Sequence, residues 1–265
     1  MSGRLEGKVA VVVGAGQTPG ETIGNGRATS VLFAREGAQV LAVDRNLAAA
    51  EETCAQIAEE GGTAVPLAAD ITVEDDCAAI ARAALDAFGR IDVLHNNVGI
   101  GTGDSSALHL DPDAWDLIHD VNLKGMWRTC VHVIPIMREQ QSGSIVNVSS
   151  LAAIGATPLL AYKLSKAGVN ALTQNLALSG AKHGMRANAI LPGFIDTPMA
   201  VDAAAAVLGI DRGDYAAARA SIVPLGRQGT AWDVANAALF LASDEAAFIT
   251  GVCLPVDGGQ SARIG

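Results

Sequence analysis

A chain of 265 residues, half of them hydrophobic and 17% charged, carries enough apolar material for a sizeable core and has the wrong composition for disorder. Its formal net charge of −10, with no lysine- or arginine-rich run, argues against nucleic acid or a membrane surface as the main partner. The four cysteines show no C-x-x-C spacing, and no apolar run reaches the roughly 18 residues that span a bilayer, so a reducing, cytoplasmic setting is expected.

Residues 8–13 form a short β-branched run that ends at Gly14, the pattern of a strand buried on both faces. A glycine-rich stretch over 14–26 follows, and residues 27–36 read as a helix closed by Gly37. Strand, glycine turn and helix together suit a pyrophosphate. Glycines admit the ligand to the backbone, and the helix start supplies N–H groups and a positive dipole end. Gly14, Gly16 and Gly20 give G-x-G-x-x-x-G rather than the plain dinucleotide fingerprint. A second buried strand, 39–44, ends in Asp44. A carboxylate there accepts from ribose hydroxyls and repels a 2′-phosphate, which favours NAD over NADP, although Arg45 beside it can answer a phosphate.

The alternation continues with a helix at 48–60, a strand at 63–69 ending in Asp70, a helix at 73–88 and a strand at 91–95 ending in Asn96-Asn97-Val98-Gly99. A long helix, 113–137, contains Asn122 and is expected to bend near Pro135. Strand 144–148 leads to Ser149-Ser150, and helix 161–182 carries Tyr162 and Lys166 on one face, four residues apart. A phenol near an ammonium group becomes a usable acid/base near neutrality. Strand 186–191 runs into Pro192-Gly193, and a helix at 231–241 and a strand at 252–256 complete the chain before Asp257-Gly258-Gly259. Seven strands with short helical links predict an α/β fold. It is a single doubly wound Rossmann-type domain over 1–265, with a seven-stranded parallel sheet and helices on both faces. Ligands of such sheets sit beyond the carboxyl ends of the strands, where Asp44, Asp70, Asn97, Ser150 and Pro192-Gly193 cluster.

With these pieces in place, the chain resembles the short-chain dehydrogenase/reductase family over essentially its full length. The resemblance rests on the glycine turn, Asp70, the N-N-V-G run at 96–99, Asn122, the Ser–Tyr–Lys set, Pro192-Gly193 followed by Thr197, and the terminal D-G-G. Two features depart from the family's pattern. The first turn is several residues longer, so either Gly24-Asn25-Gly26 or Thr22-Ile23-Gly24 takes the place of the family's G-I-G. Tyr162 follows Ser150 by twelve positions, one fewer than is usual, and Ser149 would restore the usual spacing. The second serine of the pair, Ser150, is taken as the functional one.

The resemblance implies hydride transfer between a nicotinamide and a carbinol or carbonyl carbon. Tyr162 would exchange the hydroxyl proton, Lys166 would lower the tyrosine's pKa and bind the nicotinamide ribose, and Ser150 would hold the substrate oxygen. Asn122 would bind a water linking Lys166 to solvent. For the cofactor, it implies Gly14, Gly16, Ile23, Gly24 and Asn25 around the pyrophosphate turn, with Asp44 on the ribose. Asp70 and Ile71 would meet adenine, Asn97 the cofactor ribose region, and Ile195 and Thr197 the carboxamide, next to Pro192 and Gly193. A homotetramer is the family's common assembly. The five histidines lack any metal-ligating spacing, and no metal is expected. Residues 194–223, rich in alanine, read as a helical lid over an apolar pocket. The expected substrate is therefore a medium-sized, largely apolar secondary alcohol or ketone, with cyclic ones among the candidates. Two rival readings are an NADPH-dependent 3-oxoacyl-carrier reductase, against which Asp44 argues, and a non-catalytic dinucleotide-binding protein, against which the intact Ser–Tyr–Lys–Asn set argues.

Overall fold

The computed structural model describes residues 3–263; the ends of the 1–265 span lie outside the described residues. Seven strands form one parallel sheet: β1 (Val9–Val13), β2 (Gln39–Asp44), β3 (Thr63–Ala68), β4 (Val93–Asn96), β5 (Gly143–Val148), β6 (Met185–Pro192) and, last in the chain, Cys253–Val256, which becomes β9 because two short strands precede it. The spatial order is β3-β2-β1-β4-β5-β6-β9. The order reverses between β1 and β4, and a crevice opens there beyond the strand ends. The remaining pair, β7 (Ile195–Asp196) and β8 (Gly229–Thr230), form a separate two-stranded ribbon that the periodicity does not predict.

The strands are apolar without interruption because helices cover both faces. Val12, Val40, Val93, Val146 and Ile190 face α1 (Asn25–Arg35) and α9 (Ala231–Ala242). Val11, Leu41, Leu94, Ile145 and Ala187 face α3 (Glu74–Phe88) and α5 (Met126–Gln140). Each such side chain, fully removed from water, stabilises by about 1.5–3 kcal/mol before entropy is charged against it. Pro66 and Pro255 lie in β3 and β9, the two edge strands, where a missing N–H costs least.

The long helix expected over 113–137 is in fact three pieces. Helix α4 (Pro112–His119), opened by Asp111 accepting from the backbone of Asp113, passes into a π-helical turn, Asp120–Gly125, and then into α5. The irregularity falls at Asn122 and not at Pro135, through which α5 continues to Gln140. Helix α6 (Leu160–Gly180) carries Tyr162 and Lys166. Segment 194–223 begins with β7, turns through a π-helical stretch, Pro198–Asp202, and continues as α7 (Ala203–Leu208) and α8 (Arg212–Ile222). No helix among the described residues is long and apolar enough to cross a membrane.

Candidate active site

A cavity of about 580 Å³ lies at the carboxyl ends of the strands, a volume in the range of small-molecule sites. Its floor begins at the turn after β1. Helix α1 starts at Asn25, capped by Gly24 without any side-chain hydrogen bond, so its first N–H groups are left for a ligand. A Cβ at Gly26 would overlap the carbonyl oxygen of Gly14, which also accepts from Nδ2 of Asn97 at 3.1 Å. Gly26 therefore makes the close helix-to-strand approach, as the Gly24-Asn25-Gly26 alignment requires. Ile23 does not line the cavity; its side chain packs with Ala28, Ala231 and Ala235. The extra turn residues are tied down. Gln17 accepts from the Gly24 N–H at 2.9 Å, and Arg212 gathers Glu21, Asp196 and Asp202 within 2.6–3.4 Å, joining the turn to the segment over the site.

Asp44 accepts from the N–H groups of Gly16 and Asn46, both at 3.0 Å, and faces the cavity beside Arg45. Asp70 accepts from the N–H and hydroxyl of Thr72, which hold its carboxyl below the usual range. Ile71 is buried against Gly125. On the far side, Gln260 accepts from the N–H of Phe194 at 2.8 Å, pinning Pro192-Gly193 to the turn that Asp257-Gly258-Gly259 makes. Thr197 caps the π-helical stretch after β7, and Ile195, Thr197, Pro192 and Gly193 all line the cavity.

The two serines after β5 have different partners. Ser149 is buried and donates its hydroxyl to the backbone carbonyl of Lys166 at 2.9 Å. Ser150 accepts from Ala152 N–H at 3.1 Å and lines the cavity together with Tyr162. Burial pushes the Tyr162 phenol up, and the Ser150 hydroxyl opposes this. Lys166, 2% exposed, donates to the Val148 carbonyl at 2.9 Å, with Nζ 5.8 Å from the Tyr162 ring centre. Burial pushes its ammonium down to about 7. Burial thus dominates at the tyrosine, which is the reverse of the balance that sequence spacing suggests.

Asn122 is fully buried. Its Oδ1 accepts from Ile100 N–H at 2.7 Å, and Nδ2 donates to the Ile100 carbonyl at 2.8 Å and to Ser165 Oγ at 3.1 Å. Both amide hydrogens are committed to protein, so the side chain braces the loop after β4 against α6. Three contributors escape sequence reasoning. Asp104 accepts from Ala161 N–H (3.1 Å) and Tyr162 N–H (2.7 Å), capping α6 at the tyrosine from 58 residues away. Gly99 leaves room for Lys166, whose Nζ would lie 2.7 Å from any Cβ there. Arg219, on α8, brings a guanidinium to the cavity wall. Only Gly99 left a signal, as the last residue of the N-N-V-G run.

The site fits a dinucleotide on its own geometry: an uncapped helix start, a glycine cradle that side chains would fill, and carboxylates at the second and third strand ends. A family model described as enoyl-(acyl carrier protein) reductase matches residues 21–261. The 3-oxoacyl-(acyl-carrier-protein) reductase FabG of Thermotoga maritima is 38% identical over 257 residues, 97% of this chain and 98% of that protein. Cis-4-hydroxycyclohexanecarboxylate dehydrogenase of Sinomonas cyclohexanicum is 38% identical over 256 residues, 96% and 97% of the two chains. The crystal structure of levodione reductase matches with a TM-score of 0.92 at 33% identity, over 98% of this chain and 100% of that one.

Proposed function

The chain belongs to the short-chain dehydrogenase/reductase family, and from that premise we propose that it is an NAD-dependent enzyme interconverting a secondary alcohol and a ketone. The observation that carries the reading is the convergence of Ser150, Tyr162 and Lys166 on a cavity that also holds Asp44. When bound, the nicotinamide supplies the hydride exchange. The chain's own residues do the rest. Ser150 holds the substrate oxygen, and Tyr162 moves the hydroxyl proton at its phenol oxygen. Lys166, desolvated beside them, offers Nζ to the ribose end of the cofactor. Asn122 is a positioning residue that holds Ile100 and α6 in register. Asp44, already accepting from Gly16 and Asn46, offers its remaining lone pairs to ribose hydroxyls and repels a 2′-phosphate.

The cavity that Tyr162 lines has apolar side chains in its wall, Ile100, Leu117, Val121 and Met199 among them, and residues 194–223 act as the lid of one catalytic domain. A medium-sized, largely apolar alcohol suits them. The relative named for a hydroxycyclohexane acid supports a cyclic one. A screen of secondary alcohols with NAD and with NADP, followed at the reduced-nicotinamide absorbance, tests the whole reading. Turnover of cyclic alcohols with NAD is expected; turnover confined to sugars or polyols would overturn the substrate class. The resemblance to FabG favours one second reading, an NADPH-dependent 3-oxoacyl-carrier reductase. A kcat/KM preference for NADPH on a carrier-linked 3-oxoacyl group would establish it and refute the role given to Asp44.

A further inference from the structure

The lid holds a cation that alcohol oxidation does not use. Arg219 lines the same cavity as Ser150 and Tyr162 and is held rigidly there. Its Nε donates to Oε1 of Gln228 at 2.7 Å, and Gln228, itself buried, donates to the Ala216 carbonyl. The guanidinium carbon lies 4.3 Å from the Phe194 ring centre and 5.6 Å from that of Tyr215, so two aromatic rings hold the group by cation–π contact. Among the described residues, its terminal nitrogens donate to no protein group and no carboxylate pairs with it.

The charged groups lining the cavity divide into two sets. Asp44, Arg45 and Asp70 stand at the ends of β2 and β3; among the described residues Lys166 and Arg219 are the only others, and both are basic. Lys166 is engaged by the Val148 carbonyl. This leaves a preorganised guanidinium whose two terminal nitrogens have no protein partner and no counter-ion among the described residues, a geometry that matches a carboxylate bidentately. A single cation balances one charge, which suits a carboxylate better than a phosphate monoester carrying about −1.5 to −2. We propose that Arg219 receives a carboxylate at the end of the substrate remote from the carbinol carbon, so that the enzyme's substrates are hydroxy or oxo acids with an apolar middle. The placement of the carbinol end rests on the alcohol-oxidising reading above; the carboxylate site itself does not.

Two measurements separate these claims. In the first, NADH-loaded protein is titrated by calorimetry with cyclohexanecarboxylate, which has no hydroxyl to oxidise, and with the uncharged cyclohexanecarboxamide. Wild type is expected to favour the acid by about tenfold or more, the range of a charge-assisted pair. The preference should vanish in Arg219→Gln and partly return in Arg219→Lys. NADH affinity, read by fluorescence, should be retained in both variants. Equal binding of acid and amide by wild type, or a fall in NADH affinity that shows Arg219 serving the cofactor, would overturn the proposal. In the second, steady-state rates are compared on cis-4-hydroxycyclohexanecarboxylate and cyclohexanol. Arg219→Gln should lose at least about tenfold more kcat/KM on the acid than on the alcohol, mainly through KM. If wild type oxidises neither alcohol, the alcohol reading fails while the titration still decides the carboxylate site.

Discussion

Tyr162 and Lys166 stand one helical turn apart, yet burial shifts them in opposite directions. The phenol is pushed up because its anion is desolvated, and the ammonium is pushed down because its cation is. Tyr162→Phe removes the proton carrier and keeps the buried ring. It should retain NAD affinity within about threefold by fluorescence titration while kcat falls by about 10²–10⁴; undiminished turnover would remove Tyr162 from the mechanism. Lys166 predicts a pH effect on stability. Its pKa is about 7 in the folded, cofactor-free protein and about 10.4 when unfolded, so between those values the unfolded chain binds more protons. Stability therefore rises with pH across that window, and the full cost of the buried cation is present below pH 7. In Lys166→Met this contribution is absent. The deficit of wild type relative to Lys166→Met should shrink by about 2–3 kcal/mol between pH 7 and 9, several degrees in Tm by thermal melts at the two pH values. A constant difference would mean that Lys166 does not titrate in that window.

At the scale of single elements, the turn between β1 and α1 is the part that spacing left open, because two glycine triplets fitted equally well. Contact geometry separates them. A methyl on Gly26 has no room beside the Gly14 carbonyl, whereas one on Gly24 would meet Cβ of Gln17 at 3.1 Å, a contact that a shift of a few tenths of an ångström relieves. Gly26→Ala should cost about 1–3 kcal/mol of overpacking and abolish detectable NAD binding, while Gly24→Ala should melt near wild type and still bind. The reverse ranking would restore the other alignment. The π-helical turn at Asn122 shows a different limit of legibility. Its sequence is compatible with ordinary helix, and the wider turn is fixed by packing, with the amide of Asn122 on Ile100 and Ser165 and with Leu123 against Gly168. Pro135, the residue that suggested a bend, is accommodated within α5.

For the whole molecule, the seven strands were legible to within one or two residues because a sheet covered on both faces needs unbroken apolar runs, and runs of β-branched residues between glycines are hard to mistake. Asp104 was not legible: nothing local marks a carboxylate that caps a helix 58 residues on, and only the closed fold brings the two together. The different partners of the two serines were not legible either: Ser149 is tied to the Lys166 carbonyl while Ser150 faces the cavity, a distinction that only the fold makes. The sheet's edges are managed within the chain, by Pro66 at one and Pro255 at the other. The helices are not so self-contained. Trp127 and Val131 on α5, Leu164 and Leu178 on α6, and Phe248 before β9 are between 41% and fully exposed, an expanse of apolar surface that a lone subunit leaves in water. They are the surfaces through which the homotetramer implied by the sequence resemblance would assemble. Light scattering coupled to size exclusion should give about four times the 27.0 kDa chain mass. Paired Leu164→Glu and Leu178→Glu changes, which put like charges into faces meant to meet, should reduce that mass to dimer or monomer while leaving the far-ultraviolet spectrum unchanged. A wild-type mass of one chain would refute the assembly outright. A tetramer indifferent to both glutamates would move its contacts away from α6.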